Sequence, residues 1–158
     1  MDRLLRRCLE ERAAALGFAR FGVARVEPLG READALRRWL AEGYHASMRW
    51  MADTAEVRLD PGHPGMLPGA RSVVVLVTPY ARDDGPRGPA PGVVARYARG
   101  RDYHNVVGKR MRKLAKVLRD EGHAVRASVD SLPVLERAWA QRAGVGFVGK
   151  NCCLIVPG

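Results

Sequence analysis

The residues best suited to chemistry lie between Val129 and Gly158, where an acid (Asp130), an arginine (Arg137) and a glycine-rich loop surround one short predicted helix. Asp130 ends a predicted strand just before that helix. One role for such a carboxylate is to solvate the helix start, where the macrodipole favours negative charge. The other is that of a site acid at the C-terminal end of a strand, the usual place for functional residues in α/β sheets. A proton donor at neutral pH needs its pKa raised by burial, which a sequence does not display. Arg137, in the same helix, either pairs on the surface or clamps an anionic group.

Gly144-Val145-Gly146-Phe147-Val148-Gly149-Lys150-Asn151 satisfies G-x-G-x-x-G and misses the P-loop pattern only at Asn151. Both phosphate-binding motifs require a strand before the glycines and a helix after them. Here a helix precedes and a strand follows, and Asn151 lacks the hydroxyl that ligates magnesium. The glycines are better suited to a tight turn and a close backbone approach to something flat, with Lys150 and Asn151 offering polar groups.

A third group, Tyr97-Ala98-Arg99-Gly100-Arg101-Asp102-Tyr103-His104, combines aromatics, arginines and an imidazole. That mixture suits stacking plus phosphate contact, and it also suits a helix entry capped by Asp102. Arg58, ahead of Asp60-Pro61, is either a loop-pinning ion pair or a ligand contact. Met48, Trp50 and Met51 read as core or pocket wall, and His45, His63 and His123 as scattered structural or exposed residues.

The elements that must position these groups follow from hydrophobic period. Asp2 to Gly17 is a capped helix whose stripe includes Leu5, Cys8, Leu9 and Leu16. Phe18 to Val26 reads as a strand, Glu32 to Gly43 as a helix, and Ser47 to Met51 as a helical turn. Ser72 to Val77 is a continuous apolar run, as in a strand covered by helices on both faces. Ala81 to Gly92 reads as a mobile loop and Val93 to Tyr97 as extended. A helix spans Tyr103 to about Glu121, a strand His123 to Val129, a helix with Pro133 at its N1 position runs to Ala143, and a strand covers Cys153 to Val156. The expected class is α/β (α+β), a mixed sheet flanked by helices in a single domain over residues 1–158.

With 158 residues, the chain is long enough for a real core. The absence of an apolar run near the roughly 20 residues of a membrane span, and of a signal-peptide pattern, predicts a cytoplasmic protein with no membrane partner. Three cysteines without C-x-x-C spacing make neither a disulfide framework nor a zinc or iron–sulfur ligand set. Lys plus Arg exceeds Asp plus Glu by 27 to 17, a net charge of +10. Either a polyanionic partner or an arginine-favouring genome produces such a surplus. The basic stripe from Arg96 to Arg119, opposed only by Asp102 before that last arginine, favours the polyanion.

Taken in order, several blocks resemble the epoxyqueuosine reductase family. They are Gly43-Tyr44-His45-Ala46-Ser47-Met48-Arg49-Trp50-Met51, Arg58-x-Asp60-Pro61, Pro68-Gly69-Ala70-Arg71-Ser72-Val73, Arg96-Tyr97-Ala98-x-Gly100-x-Asp102-Tyr103-His104, Val129-Asp130-Ser131-x-Pro133-Val134-Leu135-Glu136-Arg137 and Gly144-x-Gly146-x-x-Gly149-Lys150-Asn151. The resemblance implies a cobalamin-dependent reductase that removes the epoxide oxygen of epoxyqueuosine in tRNA to give queuosine. It implies that Asp130 is the proton donor and that Arg58, Tyr97, Tyr103, His104, Gly149, Lys150 and Asn151 line the corrinoid and substrate pocket. The basic stripe would then meet tRNA.

The family continues into a ferredoxin-like half whose cysteine motifs carry iron–sulfur clusters, and this sequence holds no such ligands. Leu132, Phe147 and Cys152 also stand where the family favours a small residue, tryptophan and threonine. The expectation is therefore the N-terminal corrinoid-binding portion of such a reductase, a truncated or partial enzyme that takes electrons from an external donor. The alternative is a non-catalytic RNA- or corrinoid-binding remnant.

Overall fold

Asp2 opens the first helix, accepting the Arg3 N–H at 2.6 Å. The computed structural model describes residues 2–80 and 94–157; the expected loop from Ala81 to Gly92 and residue Val93 lie outside them. Helix α1 (Arg3–Ala15) turns its Leu9 and Ala13 inward, and Gly17, at φ +83°, lets the chain leave in the left-handed conformation. Cys8 is exposed, against expectation. The buried stripe runs through Leu5, Leu9, Ala13 and Leu16, and Cys8 falls beside it.

Strand β1 (Arg20–Arg25) pairs antiparallel with β2 (Ser72–Val77), Phe21 opposite Leu76 and Gly22 opposite Val75. Between them come α2 (Arg31–Ala41), α3 (Arg49–Asp53) and α4 (Ala55–Leu59). After a 3-10 turn at Arg96–Ala98 follow α5 (Tyr103–Asp120), α6 (Glu136–Arg142) and a small antiparallel hairpin, β3 (Phe147–Val148) with β4 (Leu154–Ile155).

Alternation along the β1–β2 pair decides the layering. Phe21 and Leu76 point to one face, where they pack with Leu9, Phe18 and Leu114 of the α1–α5 side. Ala24, Val73 and Val75 point to the other, against Leu36, Leu59 and Trp139. A sheet pair with helices on both faces matches the reading of the Ser72–Val77 run. The domain is α+β as expected. In place of one mixed sheet, the described strands pair antiparallel in two separate two-stranded sheets.

Two expected elements differ. Residues 123–129 form no strand. The segment is held instead by side chains: Arg126 donates to the carbonyls of Gly65 (3.1 Å) and Met66 (2.7 Å), and Arg119 donates to that of Val125 (3.1 Å). No described strand pairs with it, so its β-branched residues join no ladder. The last helix begins at Glu136, so Pro133 is not its N1 residue. A tight bend, Val134 N–H to the Leu132 carbonyl at 2.9 Å, intervenes.

Trp139 is the anchor that matters for the site. It is fully buried, the Arg142 guanidinium lies 5.3 Å over its ring, and Arg142 also donates to the carbonyls of Glu27 (2.7 Å) and Pro28 (3.0 Å). The first turn of α6 and the loop before it are thereby fixed against the sheet.

Candidate active site

Asp102 is the N-cap of α5: its carboxylate accepts the His104 N–H at 2.9 Å and contacts His104 Nδ1 at 2.8 Å. This resolves the Tyr97–His104 block as a helix entry, and the cap fixes the next two side chains. The Tyr103 and His104 rings stack 4.2 Å apart at 27°. Tyr97 meets Tyr103 edge-on at 6.2 Å, and Tyr80 meets Tyr97 edge-on at 6.5 Å. Tyr80 and Tyr97 remain exposed, 61% and 57%. The result is an open aromatic shelf leading to an acid.

That acid is Asp130. The Tyr103 phenol donates a short hydrogen bond to Asp130 Oδ2. Asp130 sits at φ +51°, a left-handed conformation that aspartate tolerates better than most side chains. Its backbone N–H points at Glu136 Oε1 across a long 3.4 Å. A shallow cleft of about 150 Å³ opens beside it, lined by His104, Gly108, Met111, Arg112, Ala127, Val129 and Ser131.

The electrostatics invert the simplest expectation. Asp130 is exposed rather than buried, and its hydrogen bonds with Tyr103 and then Glu136 hold its carboxyl below the usual carboxylate range. The same bond pushes the Tyr103 phenol up to about 12. Glu136 is open to solvent as a residue, yet its carboxyl is desolvated and faces Asp130. Desolvation first, and then the neighbouring acid, raise it to about 7. The raised acid of this site is thus Glu136, a residue that sequence reasoning passes over. The available signal is a second carboxylate six positions after Asp130, which reads equally as an acid complementing a helix start.

Other expected residues fall around this centre. Arg137 donates to the Cys152 carbonyl and so ties the first turn of α6 to the glycine turn. In that turn the glycines serve the chain itself. A Cβ on Gly146 would lie 2.4 Å from the Ile155 carbonyl oxygen, and one on Gly149 2.9 Å from Asn151 Oδ1. Gly149 N–H donates to the Cys153 carbonyl (2.9 Å), and Asn151 Oδ1 accepts the Cys153 N–H (3.1 Å). Lys150 is exposed beside them. Arg58 makes no loop-pinning ion pair among the described residues. Its guanidinium lies 5.0 Å over the Trp50 ring, its Nε is buried without a hydrogen-bond partner, and desolvation lowers its pKa. Trp50, 54% exposed, is surface rather than core, while Met51 packs on the core.

On α5, Lys109, Arg112, Lys113 and Lys116 are exposed at helical spacing on one side. Lys116 bridges to Asp120 at 2.7 Å. Among the described residues, no group of three or more His, Cys, Asp or Glu could hold a metal ion, and no helix is long and apolar enough to cross a membrane.

Comparison with known proteins gives this geometry a context. A family model described as Epoxyqueuosine reductase QueG, DUF1730, matches residues 58–131. The epoxyqueuosine reductase of Gloeobacter violaceus is 43% identical over 150 residues, covering 93% of this chain and 46% of the relative. A crystal structure of an epoxyqueuosine reductase with an epoxyqueuosine-modified tRNA stem loop superimposes with a TM-score of 0.83 at 28% identity, over 98% of this chain and 42% of the other. The Bacillus subtilis enzyme, solved with its catalytic aspartate loop swung out of the active site, gives 0.77 at 27% identity, over 98% and 41%. The chain therefore spans under half the length of the relatives it matches. In sequence and in fold the chain is thus similar, over nearly all of its length, to the N-terminal part of epoxyqueuosine reductases.

Proposed function

We propose that this chain is the corrinoid-binding, proton-delivering portion of a cobalamin-dependent reductase that converts epoxyqueuosine to queuosine in tRNA, acting in the cytoplasm with electrons from an external donor. The observation that carries the reading is the hydrogen-bonded Tyr103–Asp130 pair at the end of an open aromatic shelf. Relatives bear this enzyme name, and one similar structure holds a tRNA stem loop.

A corrinoid is broad, flat and edged with amides. It requires an uncovered aromatic or apolar surface and polar atoms not already in use. Exposed Tyr97 and the unpartnered Arg58 Nε meet that requirement. Tyr97, Tyr103, His104 and Arg58, with the Gly149-Lys150-Asn151 turn, are the residues that would hold it. When bound, cobalamin would supply the electrons that break the epoxide carbon–oxygen bond. The chain's own task is the proton. Oxygen leaving an epoxide carries negative charge, and a positioned acid stabilises that departure by protonating it. Asp130 is the group for this, with Tyr103 fixing its orientation. Iron–sulfur clusters do not fit the described residues: Cys8, Cys152 and Cys153 are exposed and belong to no ligand group. The exposed side of α5 is the surface for the tRNA backbone, since repeated cations along one helix suit a phosphate strand.

Titration of the purified chain into cob(II)alamin tests the cofactor reading. A perturbed visible band, weakened by Arg58→Ala, is expected. An unchanged spectrum at high protein concentration would refute it.

A further inference from the structure

An acid that protonates a leaving oxygen must itself hold a proton, and the local geometry gives Asp130 a neighbour that can lend one. Tyr103 donates to its carboxyl, and Glu136 accepts from its backbone N–H. Tyr103 binds its phenolic proton too tightly to release it near neutrality. Glu136 lies on the other side, in the first turn of α6, with the Asp130 N–H directed at its Oε1. Trp139, three residues on and fully buried, fixes that turn, and Arg137 secures it to the Cys152 carbonyl.

We infer that Glu136 is a positioning residue for Asp130, steadying the Asp130 turn through its N–H and handing a proton to the Asp130 carboxylate. The inference rests on the reading of Asp130 as the acid. Two carboxyls in contact cannot both ionise easily, so at rest the pair shares one proton, held on the Glu136 side. In delivery, the Glu136 O–H bond breaks as an Asp130 O–H bond forms. The Asp130 O–H then breaks as the proton joins the substrate oxygen. Solvent reprotonates Glu136 from its open side. No electrons move in these transfers. The groups facing the pair are Tyr103 and His104 from α5 and Arg137 on α6 itself.

The test is carboxyl-detected NMR on the chain without cofactor, followed by kinetics. In the wild type one glutamate, identified by its loss in Glu136→Gln, should titrate near 7. In Asp130→Asn the same carboxyl should fall back toward the ordinary range. A Glu136 that titrates normally in the wild type, or that is unmoved by Asp130→Asn, overturns the inference. In turnover with a chemical reductant, Glu136→Gln should keep KM and lose kcat on the order of 10²-fold, with the pH limb near 7 gone. Because Gln still accepts the Asp130 N–H, Glu136→Ala should lose more than Glu136→Gln; equal losses would remove the positioning part. If Asp130→Asn retains turnover, Asp130 is not the acid and the parent reading fails, while the NMR result still decides whether the proton is shared.

Discussion

Replacing Gly22 by alanine should destabilise the fold, although the same change in a strand interior ordinarily helps it. Removing backbone freedom from the unfolded chain favours the folded state by about 0.4–1 kcal/mol. At Gly22, however, a Cβ would sit 2.5 Å from Val145 Cγ1, 2.7 Å from the Ala143 carbonyl oxygen and 3.1 Å from Ala143 Cβ. Ordinary contact begins about 1 Å farther out. One of the obstructing atoms is backbone, so the C-terminal end of α6 must move. Overpacking of this kind costs about 1–3 kcal/mol. The net expectation is a loss of about 1–2 kcal/mol, or roughly 3–6 °C in Tm for a chain of this length. Gly108→Ala supplies the control. It lies in α5, where the nearest atom to a new Cβ is Arg112 Nη1 at 3.4 Å, so better helix propensity should stabilise by about 0.5–1 kcal/mol. Urea denaturation followed by circular dichroism reads both. A Gly22→Ala variant as stable as the wild type would refute the close packing of α6 on β1.

Further consequences can be measured on the same protein. Tyr103→Phe should let the Asp130 carboxyl rise toward the ordinary range and should abolish the phenol that titrates at about 12, visible in ultraviolet titration. Glu136, raised in the folded state, contributes stability that is full below the ordinary glutamate range and is lost as pH rises through about 7; Asp130, depressed, contributes stability that is lost as pH falls through its lowered range. Denaturation between pH 5 and 8 should therefore show a decline that Glu136→Gln removes. Changing Lys109, Arg112 and Lys113 to glutamine should flatten the log-affinity against log-salt slope for tRNA by about 0.7–0.9 for each phosphate left without its cation, and an unchanged slope would deny that face to RNA.

Much of the fold is legible in the sequence because its signals are local. The Ser72–Val77 run, the α5 stripe and the caps at Asp2 and Asp102 depend only on residues near in sequence. The failures are non-local. Residues 123–129 have strand composition, but pairing depends on where the chain runs in three dimensions, and arginines inside the segment and on α5 secure it instead. At the glycine turn, Gly146 makes room for the chain's own Ile155, a tertiary contact that glycine spacing does not display. At the site, the residue types around Asp130 are legible and their protonation is not. Which of two acids keeps a proton depends on desolvation and on a tyrosine many positions upstream, neither of which has a sequence signature. Arg58 shows the same limit, since its stacking on Trp50 is a tertiary fact.

The central claim is that Asp130 protonates the oxygen leaving epoxyqueuosine. It is tested most directly by single-turnover reduction of an epoxyqueuosine-containing anticodon stem loop, using cobalamin-loaded protein and a low-potential reductant. Wild type should yield queuosine, and Asp130→Asn should bind cobalamin and RNA equally well while losing product formation by on the order of 10²–10⁴-fold. Queuosine formed by Asp130→Asn at the wild-type rate would contradict the account.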